Sequence, residues 1–349
     1  MPRALAFHDR LLREHRTVVG ASSLGFDPAR NRYEHWAHLP YVTQEQEFSA
    51  ALLNTIAEFN IGYVYTPNVV AWNVLQTLLP RIAPDVVLIN ESPVSEELAR
   101  YRNALERALA LQQTPSAICS SLPAKKSMST AEAASLLLNA DAIPGMCSHE
   151  KAYALCEIAR YAPEGDIVEI GSWWGKSAYI LAQLAKSYQI GCLLCVDPWS
   201  QVHLMQHDGT SLVDAASSRV DADEALRIFE MNLLPVNARH INYLRLPSVD
   251  AAKQYKTSPT VSTATFGETC FRGRISILHI DGNHSEQAVR ADVEAWSNLV
   301  VVNGWIIFDD YLWPHGEGPR RVADEFLSSR LDSIACAFAM GGALFIQLL

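Results

Sequence analysis

Three segments carry residues whose types and spacing can do chemistry: "DIVEIGSWWGKSAYIL" at 166–181, "LHIDGNHSEQAVRADVEAW" at 278–296 and "GWIIFDDY" at 304–311. The first contains Gly171-Ser172-Trp173-Trp174-Gly175-Lys176-Ser177, one residue short of a P-loop. A backbone that wraps a phosphate needs four residues between its first glycine and Gly-Lys-Ser, and this turn supplies only Ser172, Trp173 and Trp174. Two indoles and the carboxylate of Glu169 also oppose a polyphosphate. A cofactor with a carboxylate, an amine and a ribose but no phosphate, S-adenosylmethionine, fits Glu-x-Gly-x-x-x-Gly better. Gly171 and Gly175 let the backbone approach, and the helix start favours the carboxylate. Glu169 would take the ammonium, with Ser172 and Ser177 counted in the same cofactor-binding turn. The next strand, "LLCVDPW", ends in Asp197, placed to take the ribose hydroxyls, although Asp before Pro also begins turns.

The other two segments place acids just beyond apolar strands, where a parallel α/β sheet gathers its ligands. Asp281 follows one strand, Asp309 and Asp310 the next. Three converging carboxylates repel unless a cation joins them, so Asp281, Asp309 and Asp310 are expected to hold Mg²⁺ or a similar divalent ion. Asp281 is also counted as a cofactor contact. His284, at the turn into the following helix, is the candidate base, its ordinary pKa being near 6.5. The plainer alternative makes it a neighbour of a helix cap and the acids a solvated strand end. His203 and His207 have i, i+4 spacing, but their segment is expected to form a lid over the cofactor. Trp173, Trp174 and Trp199 are candidates for the pocket wall or the core, and Tyr311, Trp313 and His315 for acceptor contacts.

The elements that must position these residues alternate. From residue 148, helix "SHEKAYALCEIARYA", with Ser148 as N-cap, leads into strand "DIVEIG", helix "KSAYILAQLAKSY", strand "CLLCVD", helix "ADEALRIFEMNLL", strands "HINYLRL" and "ISILHID", helix "SEQAVRADVEAWSNLV" and strand "GWIIFDD". Two closing strands joined at Gly341 and Gly342 follow. Upstream, "TVVGASS", "IGYVYTP" and "DVVLINE" alternate with helices as β-α-β-α-β, which implies a smaller parallel α/β domain. A Ser/Pro-rich stretch near residue 120 sets the expected boundary, giving domains 1–120 and 121–349.

The chain has 349 residues, 49% hydrophobic and 19% charged, with a formal charge of −10. That balance excludes a nucleic-acid backbone as main ligand. No apolar run is long enough for a membrane span, and the first residues lack a secretory leader, so a cytoplasmic location is expected. Seven cysteines are scattered in apolar surroundings, and Cys192 with Cys195 reads as a buried strand rather than a metal or redox motif.

Together "DIVEIGSWWGKSA", "VDPW", "IDGNHSEQAVRADVEAW" and "NGWIIFDDY" resemble the class I S-adenosylmethionine-dependent methyltransferases, in particular the metal-dependent macrolide sugar O-methyltransferases of macrocin and mycinamicin type. The resemblance spans roughly residues 145–315. It implies a Rossmann-like, mostly parallel sheet, Mg²⁺ on Asp281, Asp309 and Asp310, and His284 as base; the smaller α/β domain in front departs from the family's pattern. The acceptor it implies is a hydroxyl of a small glycosylated or polyhydroxylated molecule. A homo-oligomer is expected. The cephalosporin hydroxylases share the scaffold, and residues 17–91 faintly resemble the lobe preceding ATP-grasp domains. An ATP-using ligase or kinase, or a binding protein with a relic methyltransferase domain, is the alternative; the front domain would then bind nucleotide, where oligomerisation or substrate shaping is otherwise expected.

Overall fold

Strands Asp166–Ile170 (β5), Leu193–Val196 (β6) and Ile275–Ile280 (β10) are buried at every position. Such strands belong inside a parallel sheet covered on both faces, and that is where the computed structural model of the chain places them. It describes residues 2–113, 118, 120, 122–204, 219–237 and 239–349. The chain forms two compact units, Met1–Asn103 and Ala104–Leu349.

The first unit contains α1 (Pro2–Arg13), β1 (Val19–Ser22), β2 (His35–His38), α2 (Glu45–Phe59), β3 (Tyr63–Val64), α3 (Val69–Ile82), β4 (Val87–Leu88) and the start of α4 (Pro93–Gln113). Phe48 and Leu52 of α2 pack against Leu75, Leu78 and Leu79 of α3. The pairing differs from the single sheet expected. β1 pairs in parallel with β2, which "HWAH" does not announce, and β3 pairs in parallel with β4. These are two separate two-stranded ladders. The unit boundary also falls inside α4, well before residue 120, because Ala104 and Ala108 of that helix are fully buried in the core of the second unit.

The second unit continues with α5 (Thr130–Ala140), α6 (His149–Ala159), β5, α7 (Lys176–Tyr188), β6, α8 (Gln201–Leu204), α9 (Ala222–Leu233), β7 (Ile241–Leu244) and α10 (Ser248–Thr257). A hairpin of β8 (Thr260–Thr263) and β9 (Gly267–Cys270) precedes β10, α11 (Glu286–Trp296), β11 (Val300–Phe308), α12 (Gly318–Ser329), β12 (Ile334–Met340) and β13 (Ala343–Leu348). Seven strands form one sheet in the order β12-β13-β11-β10-β5-β6-β7. All neighbours are parallel except β13, which runs against both β11 and β12. Alternate residues feed two cores. Ile167, Leu193, Ile277 and Ile307 pack with α5, α6, α7 and α9 on one face, and Val168, Leu194, Leu278 and Ile306 pack with α10, α11 and α12 on the other. This is the Rossmann-like class I methyltransferase fold. No helix among the described residues is long and apolar enough to cross a membrane.

Candidate active site

β5 and β10 are neighbours although four strands separate them in sequence, and the helices that follow them, α7 and α11, cover opposite faces. Chains diverging in this way open a crevice at the carboxyl ends of the strands. Gly171 and Asp281 flank it. The Gly171 backbone is left-handed (φ +84°), and a Cβ there would lie 1.9 Å from the Asp281 carbonyl oxygen, so only glycine fits. Gly175 (φ +88°) has a different reason: its missing Cβ would stand 2.5 Å from Leu233 of α9. That glycine seats α7 against its neighbour.

Trp173 adopts φ +47°, and its N–H donates to Asp197 Oδ2 at 3.0 Å, while the N–H of Trp199 donates to Oδ1 at 2.7 Å. The indole N–H of Trp199 closes the knot on the Trp173 carbonyl at 3.0 Å. Asp197 thereby ties the glycine turn to the loop after β6. Burial raises its pKa against these bonds, which favour the ionised form. Trp199 is core, with ring centroids 4.9 Å from Phe229 and 5.4 Å from Tyr243.

A cavity of about 1150 Å³ opens over the crevice. One drug-sized ligand occupies roughly 300–1,000 Å³, so the space admits a cofactor and an acceptor together. Gly171, Ser172, Gly175, Ser177, Asp197, Asp281, His284, Asp309 and Asp310 all border it, as do Trp173, Trp174, Lys176 and His203. His207 and most of the expected lid lie outside the described residues. Glu169 is absent from the wall. It is fully buried, opposite His279 in the β5–β10 register, and its Oε1 accepts a hydrogen bond from His279 Nδ1 at 3.0 Å. The expectation that Glu169 meets the cofactor ammonium is therefore corrected, because it sits on the helix-covered face behind the crevice.

The acids do not converge on one point. Asp309 and Asp281 are held by a residue that the sequence did not single out, Lys151 of α6. Its Nζ lies 3.2 Å from Asp281 Oδ2 and in direct contact with Asp309 Oδ2. Lys151 is 1% exposed; burial works against its charge, but Asp281 and Asp309 together hold its pKa well above the ordinary lysine value. Burial and the neighbouring Asp309 carboxylate push Asp281 well up, and against its own burial the Lys151 ammonium holds Asp309 below the usual range. Asp310, with a left-handed backbone (φ +51°), places Oδ2 2.9 Å from His284 Nε2. Trp313 meets His284 edge-on, with ring centroids 4.3 Å apart, and His315 also borders the cavity. Tyr311 instead donates to Asp324 at 2.8 Å.

Ligand atoms of Asp281, His284 and Asp310 lie within 4.8 Å of one another, as do those of His279, Asp281 and Asp309. The first set faces the cavity with two hard carboxylates beside an imidazole, and the carboxylates, completed by water or substrate oxygens, fit Mg²⁺ or Mn²⁺.

The order of the sheet and the crevice define a class I methyltransferase domain. Residues 168–311 match the methyltransferase domain family. Among solved structures, the O-methyltransferase NovP is similar at 15% identity and a TM-score of 0.42, over 59% of this chain and 83% of that one. The calicheamicin methyltransferase CalS11 is similar at 13% identity and a TM-score of 0.42, over 74% and 94%. The MycE methyltransferase of mycinamycin biosynthesis, in complex with Mg and SAH, is similar at 16% identity and a TM-score of 0.30, over 53% and 45%.

Proposed function

We propose that the protein is an S-adenosylmethionine-dependent O-methyltransferase assisted by a divalent cation, acting on a hydroxyl of a sugar or sugar-bearing natural product. The observation that carries this is the meeting, in one cavity of the methyltransferase domain, of the glycine turn after β5 with Asp281, His284 and Asp310. The cofactor supplies an electrophilic methyl group on its sulfonium. The turn at Gly171–Gly175, with Ser172 and Ser177, leads into the N-terminus of α7, which favours a carboxylate. Asp197 borders the cavity and serves the ribose hydroxyls with the lone pairs that Trp173 and Trp199 leave free. A divalent ion on Asp281 and Asp310 would supply Lewis acidity toward an acceptor oxygen. His284 takes the proton. Its Nε2 lies 2.9 Å from Asp310 Oδ2, and that carboxylate orients the ring and stabilises the imidazolium formed when the proton arrives. The sugar-type acceptor is favoured by the resemblance of the D-G-x-H and D-D-Y segments to the macrolide sugar enzymes.

Calorimetric titration with S-adenosylhomocysteine, repeated with ATP, tests the cofactor. Binding of the first alone is expected; binding of ATP alone sinks the proposal and returns the shortened loop to phosphate. Once an acceptor is found, His284→Ala should lower turnover by about 10²–10⁴-fold while leaving S-adenosylhomocysteine affinity nearly unchanged. Unchanged turnover would remove His284 as base.

A further inference from the structure

We infer that Lys151 is a built-in cation that withholds Asp309 from the divalent ion, leaving a two-carboxylate site on Asp281 and Asp310 beside His284. The inference rests on the metal-assisted reading proposed above, and it changes the ligand set which the resemblance implies.

Two sets of ligand atoms share Asp281: His279–Asp281–Asp309 and Asp281–His284–Asp310. The first is already filled. The Lys151 ammonium touches Asp309 Oδ2 and stands 3.2 Å from Asp281 Oδ2. His279, fully buried, has its Nδ1 committed to Glu169; its Nε2 has no hydrogen-bond partner and faces Oδ2 of both acids at 3.8 Å. A pocket walled by two carboxylates and an imidazole lone pair calls for positive charge, and Lys151 provides it. A divalent ion placed there as well would meet the ammonium at close range in a medium that screens poorly.

The backbone that carries the lysine is held in place. The Lys151 backbone N–H is capped by Ser148 Oγ at 3.1 Å, and the β12–β13 turn presses on it: a Cβ on Gly341 (φ +60°) would lie 2.3 Å from Lys151 N. The second set differs in access as well as charge. The side chain of Asp309 is 8% exposed and that of Asp310 is 30% exposed. Mg²⁺ is commonly held by one or two carboxylates, with water and substrate oxygens completing its octahedron, so two acids suffice. Lys151 then neutralises Asp309 and takes no part in holding the ion.

The test is Mn²⁺ binding to the full-length, chelator-treated protein, followed by the electron paramagnetic resonance of free Mn²⁺ with S-adenosylhomocysteine present. Asp310→Asn should weaken Mn²⁺ binding at least about tenfold, and Asp309→Asn should leave it within about threefold. Because Asp309→Asn strands a buried ammonium, the charge-free double variant Lys151→Met/Asp309→Asn is measured beside it, and it too should retain Mn²⁺ binding. Loss of Mn²⁺ in whichever of the two folds, to the extent seen for Asp310→Asn, overturns the inference and makes Asp309 a ligand. If the unaltered protein takes up no Mn²⁺, this inference falls together with the metal part of the proposed function. Methyl transfer itself is then judged separately by the S-adenosylhomocysteine titration.

Discussion

Lys151 and Gly171 hold the site in two different ways, one by charge and one by the absence of a side chain. Lys151→Ala leaves the buried Asp309 and the half-buried Asp281 without their partner, and removing one member of a buried ion pair costs roughly 3–5 kcal/mol. Urea unfolding at neutral pH should show that loss; a change below about 1 kcal/mol would mean that the pair is solvated. Gly171→Ala drives a methyl group into the Asp281 carbonyl from a left-handed backbone, so a penalty of at least about 2 kcal/mol is expected in the same assay. Asp281, His284 and Asp310 were legible because a polar residue just past an apolar strand has a fixed place in an α/β sheet. Glu169 lies inside its strand, two positions before Gly171, and strand alternation puts it on the covered face with Ile167; position relative to the glycine alone concealed that. The signal for Lys151 was present too. Lys151, Leu155 and Ile158 fall at i, i+4 and i+7 on the buried side of α6, and a lysine on that stripe demands acids.

At the scale of elements, α11 carries a carboxyl of its own, Asp292, which is 5% exposed and borders the cavity. Burial pushes its pKa up to about 7, although a hydrogen bond with Ser248 favours the carboxylate. The folded state therefore holds this proton more tightly than the unfolded chain, whose aspartate titrates near 3.9. Its contribution is intact below about pH 4, is lost as pH rises to about 7 and stays lost above that. Asp292→Asn should thus raise the melting temperature relative to the unaltered protein at pH 8 and lose that advantage at pH 4.5. An equal offset at both values would show that Asp292 is ionised in the fold. The long apolar strands and periodic helices of the second unit were legible from their patterns, including the closing pair at Gly341 and Gly342. β8 ("TVST") and β9 ("GETC") were missed because they are short and polar, stabilised instead by Asn242, whose side-chain amide donates to the carbonyls of Val261 and Gly267 at 2.9 Å. β2 escaped for the same lack of apolar alternation.

For the whole molecule, α4 matters because it crosses the division between the two units. A composition shift near residue 120 suggested a boundary, but composition does not reveal that Ala104 and Ala108 serve the downstream core. Chains beginning at residue 93 and at residue 121 separate the two views. The longer should bind S-adenosylhomocysteine as the full protein does, and the shorter should melt about 5 °C lower or more. Equal melting temperatures would return the boundary to the linker. Gly341 belongs to this scale as well. The turn it forms presses on α6 some 190 residues earlier in the chain, and β13, beyond it, is the neighbour that β11 needs on its outer side. A lesion in the β12–β13 hairpin, remote in sequence from the glycine turn, should therefore be felt at the strand that carries Asp309 and Asp310.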